Sequence, residues 1–247
     1  MKHLSPRWII AAFIVLVSAS CNRLPGRSGL NSEVVRPTEV LDFNVIYREN
    51  CAGCHGSQGK GGATVPLSDP VFLRIADDVT IRRIAANGVP GTPMPAFAQS
   101  AGGMLTDKQI AAIVSGIRSR WAKPDVLRDA SPPAYRAQVP GDPVHGAAVY
   151  ATYCSSCHGS DGRGGKKAGS IVDGSYLALV SDQDLRTNLI IGRPELGAPD
   201  WRSDVPGEPM SGQEISDVVA WLAAQRPKVP GQPYPAASPS PAKGELR

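Results

Sequence analysis

Cys51-Ala52-Gly53-Cys54-His55 and Cys154-Ser155-Ser156-Cys157-His158 are two copies of one string, C-x-x-C-H, set 103 residues apart. Two thiols at this spacing suit thioether bonds to the two vinyl groups of one porphyrin, and the adjoining His falls beneath the iron as its proximal ligand. Two strings predict two covalently attached c-type haems, one on Cys51 and Cys54 and one on Cys154 and Cys157, with His55 and His158 as axial ligands. Two such haems imply electron transfer. A thioredoxin-type pair would need a βαβ context, and no strand-rich run flanks either string. A shared zinc site would leave both histidines without a reason.

The flanks of the strings repeat as well, so a tandem duplication of about 85 residues governs the architecture. Tyr47 stands four residues before Cys51 as Tyr150 stands before Cys154, and Gly56, Ser57 and Gly59 match Gly159, Ser160 and Gly162. Farther on, Asp69, Leu73, Ile81 and Gly88 align with Asp173, Leu177, Leu185 and Gly192. Ile110, Ile113 and Val114 align with Ile215, Val218 and Val219.

Periodic stretches predict helices over Thr38–Asn50, Ala76–Ala86, Thr106–Ser119, Pro143–Tyr153, Asp182–Ile191 and Ser211–Ala224, with Thr106 and Ser211 as caps. No alternating strand pattern occurs. The fold class is all-α: two small tandem helical domains, residues 38–122 and 143–226, each completed by one covalently attached haem. Between them, Lys123 to Pro143 contains five prolines and little apolar periodicity, so 123–142 reads as an extended linker. Residues 227–247 are rich in Pro, Ala and Ser and read as a disordered tail.

The first twenty residues read as an export signal. Lys2 and Arg7 precede ten uninterrupted apolar residues, Trp8 to Val17, and Ser18-Ala19-Ser20 supplies small residues before Cys21. Ten residues are too few to span a bilayer. Cys21 belongs to neither haem string, and an exported, unpaired Cys needs a purpose. The segment resembles a lipobox with Cys21 as the lipidated residue, making 21–37 a lipid tether. The same small residues also suit ordinary signal peptidase. The full chain has 26 basic and 22 acidic residues, a balance of +4. No Lys/Arg block marks it for nucleic acid.

Each unit resembles a class I cytochrome c domain, over roughly residues 38–121 and 143–226, and the whole is similar to exported dihaem cytochromes c of bacterial respiratory chains. The resemblance implies a Met as second axial ligand, in a loop before the last helix. Thr92-Pro93-Met94-Pro95-Ala96-Phe97 matches that loop 39 residues after His55, with Met104 a rival expected to pack. It also implies that the carbonyl of Pro66 would accept the Nδ1–H of His55 and so orient that ring. In the second unit Gly169-Ser170 stands in the region of Pro66-Leu67, and Ala198 stands where the first has Met94. That leaves three alternatives for the second iron: Met210, an open or water-bound position, or another group. Trp201 and Arg202 suit either the haem edge or ordinary loop packing, and His145 reads as a surface residue. In this family the first and last helices cross at a small residue against aromatics. Gly146 and Tyr150 face Trp221 and Leu222 on this reading. The first unit places Phe43 at the Gly146 position and Gly116 at the Trp221 position, which predicts a complementary exchange of large and small.

The resemblance implies a membrane-tethered electron carrier. It would accept electrons from a quinol-oxidising complex or dehydrogenase and pass them to a terminal oxidase or another cytochrome, with no catalytic acid, base or nucleophile. Two other readings remain: a peroxidase-like or gas-binding haem protein with an open second iron, for which Asp200, Asp204 and Glu208 are the nearby acids, and a fixed cytochrome subunit of a larger oxidoreductase.

Overall fold

The computed structural model describes residues 35–127, 130–203, 205 and 209–228. The expected signal 1–20, Cys21 with most of its tether, Asp204, Glu208 and the tail beyond Lys228 lie outside the described residues. The chain divides into a leading unit, residues 1–39, whose described part holds a 3₁₀ turn (Pro37–Glu39), and a unit of residues 40–247. The second unit carries α1 (Phe43–Asn50), α2 (Ala52–His55), α3 (Pro70–Ile75), α4 (Asp78–Asn87) and α5 (Asp107–Trp121). The series then repeats as α6 (Pro143–Tyr153), α7 (Ser155–His158), α8 (Gly174–Leu179), α9 (Asp182–Ile191) and α10 (Gly212–Ala224). Among the described residues there are no strands, only isolated bridges. None of the described helices is long and apolar enough to cross a membrane.

Caps fix where the helices begin, and they too are duplicated. Asp42 and Asp142 accept the backbone N–H groups of Val45 and Val144, and Asp69 and Asp173 accept those of Phe72 and Tyr176. Thr106 with Gln109, and Ser211 with Glu214, close capping boxes at the heads of α5 and α10. These caps also correct two sequence-based boundaries. Regular α-helix within 38–50 begins only at Phe43, because Asp42 is extended (φ −66°, ψ 118°) and spends its carboxylate as a cap. The stretch read from Ala76 begins at Asp78, because Asp77 caps it through the Thr80 N–H. The short helices α2, α3, α7 and α8 were not predicted; four to six residues carry too little periodicity.

The last helix of each copy packs against its first. In the first copy a Cβ built on Gly116 would lie 2.0 Å from Cδ2 of Phe43, so the expected exchange of large and small is a direct contact. In the second, a Cβ on Gly146 would lie 2.0 Å from the Asp217 carbonyl oxygen and 3.0 Å from Cβ of Trp221. Trp221 stacks on Tyr150 at 4.3 Å between centroids. The first copy keeps an aromatic there by a different route. Trp121, five residues beyond Gly116, meets Tyr47 edge-on at 5.2 Å. It covers Gly59 as Trp221 covers Gly162.

One arginine per copy ties the same turn. Arg118 donates to the carbonyls of Leu73 and Ala76 and pairs with Asp78. Arg226 donates to the carbonyls of Leu177 and Val180 and pairs with Asp182. The targets align between copies, although the arginines do not occupy aligned positions. The linker is less free than its composition implies. Buried Arg186 on α9 donates to the Ala134 and Tyr135 carbonyls at 2.9–3.1 Å, and Gln183 adds a bond to Tyr135 at 2.8 Å. Between copies, Arg193 reaches the Gly62 carbonyl at 3.4 Å.

Candidate haem-attachment sites

Each C-x-x-C-H string forms one tight helical turn after the first helix of its copy. Cys51 ends α1 with its N–H bonded to the Tyr47 carbonyl at 2.8 Å, and the His55 N–H returns to the Cys51 carbonyl at 3.0 Å. Cys154 and His158 repeat the pattern at 2.9 and 3.0 Å. This turn brings both thiols and the imidazole onto one short segment. Gly56 (φ +80°) and Gly159 (φ +81°) then reverse the chain. A Cβ at position 56 would lie 1.9 Å from the Lys60 carbonyl oxygen, so only glycine lets the following loop fold back under the His. Tyr47 and Tyr150 donate their hydroxyls to the Gly56 and Gly159 carbonyls, anchoring each turn to the helix before it.

The loops that fold back hold the histidines. His55 Nδ1–H donates to the Val65 carbonyl at 2.8 Å, and His158 Nδ1–H donates to the Gly169 carbonyl at 2.8 Å. A carbonyl only accepts, so Nδ1 carries the proton and the Nε2 lone pair is left for a metal. This corrects the role expected of Pro66. The acceptor is the residue before it, while the Pro66 carbonyl takes the Asp69 N–H at 3.1 Å and so steers the chain into α3. The second copy keeps the same support without a proline. Burial holds the His55 imidazole below its ordinary pKa, against the bond to Val65, which favours the neutral ring a metal needs.

Thiol electrostatics separate these sites from redox dithiols. Burial pushes Cys51 up to about 12 and Cys154 up to about 11, with Cys54 and Cys157 adding to the rise. A redox-active C-x-x-C needs the opposite shift. No group of three or more His, Cys, Asp or Glu gathers among the described residues. Adjacent thiols on one turn, with a His whose Nε2 is presented by its Nδ1 bond, therefore fit a covalently held porphyrin and not a zinc cluster.

The loops that would carry a second axial ligand share two backbone bonds at equivalent positions. The Val89 N–H donates to the Met94 carbonyl at 3.0 Å, and the Arg193 N–H donates to the Ala198 carbonyl at 2.9 Å. The Leu105 N–H donates to the Phe97 carbonyl, and the Met210 N–H to the Trp201 carbonyl, both at 2.7 Å. Ala198 therefore occupies the backbone seat of Met94, and Met210 that of Leu105. Met94 is half-buried, whereas Leu105 and Met210 are each 6% exposed within the core. Met104, expected to pack, is instead 79% exposed. It follows the Gly102-Gly103 turn at the surface.

Other residues of the second loop are committed elsewhere. Trp201 is buried in the core, Arg202 lies over its ring at 4.9 Å, and Arg202 also grips the Asp200 carboxylate at 2.5–3.0 Å. His145 is exposed but not idle: its Nδ1 meets the buried Asp217 carboxylate at 2.7 Å. Sequence reading missed Val65 and Gly169, because a carbonyl acceptor leaves no mark in residue type. The close spacing of each to its His (ten and eleven residues) was the available signal.

Comparison with known proteins agrees with this geometry. The family model described as cytochrome c oxidase, cbb3-type, subunit III matches twice, at residues 39–115 and 141–222. The cbb3-type cytochrome c oxidase subunit CcoP of Azospirillum sp. is 32% identical over 158 residues, covering 58% of this chain and 48% of that protein. Subunit FixP of Sinorhizobium medicae is 31% identical, covering 62% of this chain and 54% of that protein. The cytochrome bc1 complex cytochrome c subunit of Mycobacterium tuberculosis is 22% identical, covering 75% and 64%. The chain thus spans about half the length of the CcoP and FixP relatives. The two matched domains carry covalently bound haem c, and Cys51, Cys54, Cys154 and Cys157 are the cysteines of their C-x-x-C-H motifs. With one haem-binding domain in each of the two matched regions, the chain belongs to the cytochrome c oxidase, cbb3-type, subunit III family.

Proposed function

We propose that this protein is a dihaem electron carrier of an extracytoplasmic respiratory chain. The observation that carries the reading is the duplicated proximal arrangement: two C-x-x-C-H turns in one compact unit, each presenting a histidine whose Nδ1 is fixed by a backbone carbonyl 2.8 Å away. Haem iron, once bound, supplies a one-electron couple. The chain's task is to hold that couple in a fixed, largely apolar setting, so that gaining or losing an electron needs little rearrangement. Outer-sphere transfer needs no proton donor or nucleophile at the site.

In this reading His55 and Met94 would hold the first iron and His158 would hold the second. A thioether favours the ferrous state, so the first site has the higher potential. The donor is a quinol-oxidising complex or a dehydrogenase, and the acceptor a terminal oxidase or another cytochrome. The sequence before residue 35 supports export, with lipidation at Cys21 as the tether that raises effective concentration near these partners. Stopped-flow mixing of the reduced holoprotein with an isolated cbb3- or bc1-type complex tests the reading. Oxidation or reduction of both haems within turnover times is expected. No exchange with either complex would remove it.

A second reading, a fixed subunit of a larger oxidoreductase, is favoured by one observation: the relatives are named as subunits of such complexes. Purification in mild detergent separates the two. A carrier elutes alone, and a subunit elutes with its complex at fixed stoichiometry.

A further inference from the structure

We propose that the iron of the second copy takes a small exogenous ligand, a neutral diatomic such as carbon monoxide or nitric oxide in the ferrous state. The reason is that the chain supplies no thioether to its second axial position. The inference rests on the dihaem reading above.

Three observations carry it. The first is the seat of Ala198. Its carbonyl accepts the Arg193 N–H at 2.9 Å, as the Met94 carbonyl accepts the Val89 N–H at 3.0 Å, so the two loops return to the same place beside the glycines that end α4 and α9. A methyl group stands there instead of a thioether. The second is the seat of Met210. Its N–H is pinned to the Trp201 carbonyl at 2.7 Å, one residue before the Ser211 cap, and its side chain is as buried as Leu105. Met and Leu exchange readily at core positions because their volumes match, so this Met has a packing reason that needs no metal.

The third observation is the placement of four other potential donors of this copy. His145 Nδ1 is engaged by Asp217 at the head of α6, and Asp217 also accepts the Asp142 N–H and a Gln213 amide bond, at 2.8 Å each. Lys166 and Lys167 lie in the loop bonded to the Cys157 carbonyl through Ala168, the loop that also supports His158, and so stand on the proximal side. Asp200 is held by Arg202. Among the described residues no acid stands unpaired in the Ala198 loop.

The test is carbon monoxide titration of the full-length, dithionite-reduced holoprotein, with haem counted independently by its pyridine complex. Uptake of one carbon monoxide per two haems is expected. Ala198→Met should abolish that uptake and add the charge-transfer band of a second thioether-bound ferric haem. Met210→Leu should leave uptake at one. Two haems with no uptake overturn the inference, and a gain of uptake in Met210→Leu would then name Met210 as the ligand. Two carbon monoxide molecules per chain support the second site and remove Met94 as ligand of the first. Fewer than two haems per chain overturns the dihaem reading together with the inference.

Discussion

A methyl group added at position 116 would lie 2.0 Å from a ring carbon of Phe43, closer than any real contact allows. At position 146 the obstruction is different, because the atom met at 2.0 Å is the Asp217 backbone oxygen. The two helix crossings should therefore answer differently to one substitution. Gly116→Ala is expected to cost about 1–3 kcal/mol and to be partly rescued by Phe43→Leu, since the clash is with a side chain that can be shortened. Gly146→Ala is expected to cost about 3 kcal/mol with no side-chain rescue, because only backbone displacement relieves it. Denaturant melts of the two singles and the Phe43 double decide this; full additivity in the 43/116 cycle would refute the contact. Charge at the same crossing has a pH signature. The bond to Asp217 raises the His145 pKa above 6.5, and Asp217 is held below 3.8 by bonds from Asp142, His145 and Gln213 that outweigh its burial. A raised His contributes stability fully below 6.5 and loses it as pH climbs through its folded value. A depressed Asp contributes above 3.8 and loses it as pH falls through its folded value. The pair should thus support the fold most between about pH 4 and 6.5. His145→Gln should flatten the decline in melting temperature on the alkaline side of that window.

Between elements, the strongest fixed point is Arg186. The residue is 4% exposed, yet the groups its guanidinium reaches are neutral: the carbonyls of Ala134, Tyr135 and Gly212 and the Ser216 hydroxyl, at 2.9–3.1 Å. Burial lowers its pKa, but an arginine stays charged, so these dipoles must compensate the ion. Arg186→Ala should cost about 2–4 kcal/mol and release the linker, read as faster proteolysis between α5 and α6. Unchanged cleavage there would show that the clamp does not hold the linker. Nothing in the sequence marked Arg186, since a basic residue inside an amphipathic stretch reads as surface until its carbonyl partners are known. The same limit hid the exchange of Trp121 for Trp221 and the paired roles of Arg118 and Arg226, because equivalent contacts arise from non-equivalent positions on α5 and α10. What was legible had a local cause. Thr106 and Ser211 announce capped helices, the repeated C-x-x-C-H turns announce the haems, and the Phe43/Gly116 exchange shows as complementary volume in an alignment of the halves. Pro66 misled because the bond comes from a carbonyl one residue earlier, a distinction that residue type cannot carry.

At the scale of the molecule, duplication has produced two proximal sites that are alike and two distal loops that differ. Both histidines are held by a carbonyl at the same 2.8 Å, although His55 is buried and His158 is more exposed. Of the differences between the copies, the one that bears on the iron lies in the loops, Met94 in one and Ala198 in the other. The Met94 loop also faces its neighbour, for Pro90, Gly91 and Thr92 line a cleft of about 500 Å³ with Ser181, Asp182 and Gln183. In the proposed carrier, a thioether on the first iron only makes that haem the thermodynamic sink, and electrons entering at the second run downhill to it. Potentiometric titration of the holoprotein should accordingly resolve two one-electron steps, with the higher belonging to the first haem. Met94→Ala should lower the upper step and leave the lower in place, merging or reversing the two. If Met94→Ala instead leaves the upper step untouched, the high-potential haem is the second, and the direction of flow through the molecule is the reverse.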